Sequence, residues 1–79
     1  MNNNVVMTAI NERMSWIYEK VICNPANKGK DLSKWKDEIK DLHDAYMELR
    51  GHSGSVAYVQ GVDTQINNVT SIYALTMEG

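Results

Sequence analysis

The sequence predicts a small all-α fold: a three-helix bundle, or a helical hairpin with a third helix packed on it. Two observations carry this. Two clusters of turn-forming residues divide the 79-residue chain into three segments of similar length. Each segment then places apolar residues three and four apart, the spacing that lines one face of an α-helix. The segments are short and no linker separates them, so residues 1–79 read as a single domain.

The first cluster is Asn24-Pro25-Ala26-Asn27-Lys28-Gly29-Lys30, and the second is Gly51-His52-Ser53-Gly54-Ser55. Proline disfavours helix in the residue before it and glycine permits a turn. In the first segment Asn4 is a suitable N-cap, and Val6, Ile10, Met14, Ile17 and Val21 follow at spacings 4, 4, 3, 4. The second segment opens with Asp31 as cap. Leu32, Trp35, Ile39, Leu42, Tyr46 and Leu49 repeat at 3, 4, 3, 4, 3, and Gly51 stands where a helix would stop. Nearly everything off that seam is polar.

The third segment admits two readings. Val59, Val62, Ile66, Val69 and Tyr73 run 3, 4, 3, 4 and predict a helix over about residues 55–76. Its many valines, isoleucines, threonines and tyrosines are strand-favouring, and a hairpin pairing 56–60 with 69–77 across Asn67-Asn68 is the α+β alternative. The five-position seam favours the helix.

Composition narrows the function. The chain carries a net charge of −2 and a pI near 5.5, without the basic excess expected for direct nucleic-acid binding. No apolar run approaches the roughly 18 residues of a membrane span. The start lacks the charged and apolar regions of a secretory signal, and the lone Cys23 cannot form an internal disulfide, so a cytoplasmic setting is expected. With little surface to bury, so small a chain depends on good helix packing or self-association.

Catalytic chemistry finds little footing. His52 with Ser53 or Ser55 is an ordinary loop composition, and Gly51 and Gly54 lack the lysine and spacing of a phosphate loop. His43, Asp44 and His52 do not make a recognisable zinc set, and Cys23 lies far along the chain. No catalytic residue, metal ligand or cofactor is expected.

Charge placement says more. Asp37, Asp41, Asp44 and Glu48 recur at 4, 3, 4 along the second helix with Glu38 beside them, an acidic stripe roughly 16 Å long at about 1.5 Å per residue. Such a row is suited to a basic groove on a protein that handles nucleic acid. Lys34 and Lys40 stand four residues before Glu38 and Asp44 and allow the plainer reading of a solvated face. Lys28, Lys30, Lys34, Lys36 and Lys40 crowd together ahead of it. A phosphate or headgroup patch is one reading, and simple charge polarity along the helix is the expected one.

After Arg50 there is no lysine or arginine, and apolar residues exceed one stripe. Tyr58, Ile72 and Leu75 fall off the predicted core line and are therefore the expected self-association contacts, most simply in a homodimer.

Asn24-Pro25-Ala26-Asn27, with Val56, Val59, Val62, Asp63 and Ile66, resembles the turn and C-terminal stretch of type III secretion needle subunits. The second proline of that turn is missing, and thirteen residues follow Ile66. The resemblance implies a helical polymerising subunit, the alternative function. The expected function is a small non-enzymatic protein-binding module: an inhibitor or adaptor, such as phages and mobile elements direct against host nucleic-acid machinery.

Overall fold

The computed structural model describes residues 3–52 and 60–78. Three helices pack pairwise against one another, α1 (Asn3–Ile17), α2 (Ser33–His52) and α3 (Gln60–Glu78). Among the described residues there is no strand. Residues 69–77 are helical, so the hairpin alternative for the third segment does not hold.

The cross-helix contacts give the directions. Trp16 of α1 meets Trp35 of α2, and Arg13 meets Glu38, so these two helices run antiparallel. Thr8 and Gln65 bond across α1 and α3, as do Asn11 and Asn68, so those two run parallel. The result is an up-down-up bundle.

α1 ends by widening. Tyr18–Ile22 form a π-helical turn in which the Cys23 N–H reaches back to the Tyr18 carbonyl at 2.9 Å. The connection then satisfies the helix's last carbonyls with amide side chains. Asn24 Nδ2 donates to the Lys20 carbonyl and Asn27 Nδ2 to that of Val21. Asn24 Oδ1 also caps the single 3₁₀ turn Pro25–Asn27 by accepting the Ala26 N–H. Gly29 follows at φ +84°, the left-handed region where a side chain is strained. Asp31 then starts α2, its Oδ1 accepting both the Ser33 N–H and the Ser33 hydroxyl. At the far end α2 continues through Gly51 to His52, so Gly51 does not end the helix.

The core is one cluster drawn from all three helices. α1 and its π turn supply Met7, Ile10, Met14, Ile17 and Val21. α2 supplies Ile39 and Tyr46, and α3 supplies Val69 and Ile72. Leu32, Trp35, Leu42 and Leu49 of the α2 seam pack around it half-buried. Each fully buried aliphatic side chain is worth about 1.5–3 kcal/mol.

α3 departs from expectation in its rotation. Its buried residues are Val69, Ile72 and Thr76, while Tyr73 sits at the edge, stacked on His43 of α2 with centroids 3.9 Å apart. At about 100° per residue, this turns the inward face roughly 60° from the predicted seam. Ile72 is therefore core (5% exposed) and unavailable as a self-association contact. Leu75, by contrast, is 52% exposed. Tyr58, Val59 and the side chain of Val62 lie outside the described residues.

This rotation predicts opposite outcomes for two neighbours. Ile72→Asp buries an unpaired charge and costs on the order of 3–5 kcal/mol, leaving a domain of this size largely unfolded. Leu75→Asp keeps the helical circular-dichroism signal and shifts the melting temperature little. Thermal melts of the two variants decide; an Ile72→Asp variant that melts as Leu75→Asp does would return α3 to the seam the sequence predicts.

Candidate functional site

The acidic stripe faces outward because of where the α2 core residues lie. Taking Ile39 as reference, at about 100° per residue Tyr46 falls within about 20° of it, whereas Asp37, Asp41, Asp44 and Glu48 fall between about 140° and 200°. All four carboxylates are thus diametrically opposite the core, and all four are exposed. Burial of Ile39 and Tyr46 fixes the direction in which they point.

Glu38 does not belong to that face. It lies about 100° from Ile39, on the edge toward α1. There it receives Arg13 in a forked contact, Nε to Oε2 at 2.7 Å and Nη2 to Oε1 at 3.4 Å. The Arg13 guanidinium also lies over Trp16 and Trp35, 5.0 Å and 5.8 Å from the ring centroids, and the two indoles meet at 6.2 Å. Glu38 therefore acts as a tie between α1 and α2. The sequence carried no sign of this cluster, because its partners are 25 residues apart along the chain.

Asp44 stays on the stripe but is engaged from within its own helix. Lys40 Nζ donates to Oδ2 at 2.8 Å, and His43 Nδ1 lies 3.1 Å from Oδ1. The Lys40 ammonium, followed by His43, holds the Asp44 carboxyl below its ordinary value, and Asp44 in turn raises Lys40. The Asp31 carboxyl is likewise lowered, first by the Ser33 hydroxyl and then by its backbone N–H. The side chain of His52 lies outside the described residues. Among the described residues no group of three or more histidine, cysteine or acidic side chains converges as a metal site would, and no helix is long and apolar enough to cross a membrane.

Comparison with known proteins returned no match to a family model, a curated protein or a solved structure. What the surface can do is therefore read from its own chemistry. It is a rigid helical face of four carboxylates at one-turn intervals, suited to meeting cations at similar spacing.

The depressed carboxyls set a pH dependence. A group whose pKa is lower in the folded state adds stability above its unfolded pKa and loses it as pH falls through the folded one. Asp31 and Asp44 thus place the onset of acid destabilisation below about pH 4, near the ordinary carboxylate value. Thermal melts from pH 7 to pH 2 should show that onset, and Asp31→Asn with Asp44→Asn should flatten it. An acid limb unchanged by the pair would contradict these bonds.

Proposed function

We propose that the chain is a small non-enzymatic protein-binding module that presents the outer face of α2 to a basic surface on a nucleic-acid-handling protein, as an inhibitor or adaptor does. One observation carries the reading. Asp37, Asp41, Asp44 and Glu48 lie on a single exposed line of a helix whose opposite side is locked in the core. The face is therefore pre-organised, and binding orders no backbone. Carboxylates at one-turn intervals favour fast, electrostatically steered association. Glu38, committed to Arg13, supports the face without belonging to it.

The test is charge reversal. Asp37→Lys with Asp41→Lys touches no core residue and should leave the melting temperature nearly unchanged. Affinity for a partner captured from the native host should fall by at least about tenfold, with a shallower dependence on salt, as loss of two interfacial charge contacts implies. Affinity and salt slope equal to the parent's would return α2 to a solvated face.

Self-association is a second reading, favoured by Leu75 and Met77, 52% and 42% exposed near the end of α3. It now rests on these two and not on Ile72. Sedimentation across concentration separates a closed dimer from the open-ended growth of a polymer.

A further inference from the structure

The lysines ahead of the acidic stripe have a place of their own. Lys28, Lys30 and Lys36 line a cleft of about 380 Å³ where the connection between α1 and α2 meets the end of α3. Among the described residues no aspartate or glutamate lines this cleft, although acidic residues outnumber basic ones in the chain. Leu32 and Lys36 bring the first turn of α2 into its wall. The positive end of a 20-residue helix thus adds to the three ammonium groups.

Thr76 is the independent observation. It lines the same cleft at 1% exposure, and its hydroxyl has no hydrogen-bond partner. A buried threonine in a helix ordinarily returns its hydroxyl to a carbonyl one turn back, as Thr70 does to Ile66 at 2.8 Å. A buried polar group left unpaired calls for a missing partner. Ile22, Leu32 and Leu75 add apolar wall, and the volume exceeds what a bare inorganic anion fills.

We propose that this cleft binds a small organic phosphate monoester: the phosphate is held by Lys28, Lys30, Lys36 and the Thr76 hydroxyl, and the organic part rests against Ile22 and Leu75. The site lies apart from the acidic face of α2 and does not depend on it. The same lysines also complement the negative end of α3, whose last turn has no basic residue. The test must tell the two roles apart.

The experiment titrates the full chain with inorganic phosphate and with phenyl phosphate at constant ionic strength, followed by amide NMR shifts. A parallel arm uses vesicles containing phosphatidic acid. Saturable shifts confined to residues 28–36 and 75–77 are expected, with phenyl phosphate binding more tightly. Lys36→Gln should weaken binding by about tenfold, as loss of a charge-assisted hydrogen bond implies, while Lys20→Gln leaves it unchanged. Thr76→Val keeps the side chain's shape and should fold at least as well as the parent, yet bind phenyl phosphate several-fold more weakly. Three results would overturn the proposal: unchanged affinity in Thr76→Val, shifts that track every lysine equally, or loss of stability in Lys36→Gln with no response to phosphate in the parent. Binding to vesicles with silence toward both soluble phosphates would overturn it too, because a bilayer surface does not enter the cleft.

Discussion

Everything in this bundle is indexed to Tyr46. Its ring is wholly buried among side chains of the three helices, and its hydroxyl cannot be left unpaired there. It donates to Gln65 Oε1 at 3.3 Å, and Gln65 Nε2 donates in turn to the Thr8 hydroxyl at 2.8 Å. One polar chain therefore crosses α2, α3 and α1. Apolar packing alone tolerates sliding and rotation of helices, because a leucine or valine is satisfied by many neighbours. A buried hydroxyl bonded to a half-buried amide is satisfied in few arrangements. With Gln65 turned toward Tyr46, Val69, Ile72 and Thr76 follow it inward one, two and three turns along, and Tyr73 is carried to the edge beside His43. Asn68 sets the same rotation from the other side, donating to both Asn11 and Ser15 of α1.

The surface inherits its geometry from that core. Burial of Ile39 and Tyr46 leaves the acidic row of α2 on the outside, and the Arg13–Glu38 contact over two indoles secures the helix against α1. The exposed ion pairs are individually weak. Their effect is to orient a face that packing already holds. At one end of the bundle the connection from α1 to α2 gathers lysines beside Thr76, whose hydroxyl is the only buried side-chain polar atom left unsatisfied among the described residues. Negative and positive features are thereby separated, one along the flank of α2 and the other at its start.

How far the sequence was legible differs by helix. α2 was plain because it has a single narrow apolar stripe with charge everywhere else, so periodicity has one solution. The direction of its acidic row followed from the same stripe, except for Glu38, whose role depends on an arginine in another helix. α1 was readable for similar reasons, though nothing in the pattern signalled the π turn at its end. α3 was readable as a helix but not in its rotation. Valines and isoleucines surround much of it, so apolar spacing supported two faces about 60° apart. Polar residues made the choice: Gln65 and Asn68 carry no weight in a hydrophobic pattern, yet both bond across helices. Gly51 misled in another way, since a glycine can end a helix but need not, and α2 continues through it.

The claim on which the rest depends is that Tyr46, Gln65 and Thr8 join the three helices at one level. Nuclear Overhauser contacts report this directly. The account predicts cross-peaks from the Gln65 side-chain amide to Thr8 and to the Tyr46 ring, together with contacts between the rings of His43 and Tyr73. A Gln65 amide that exchanges freely with solvent, with Tyr73 instead in contact with Met14 and Ile39, would contradict it.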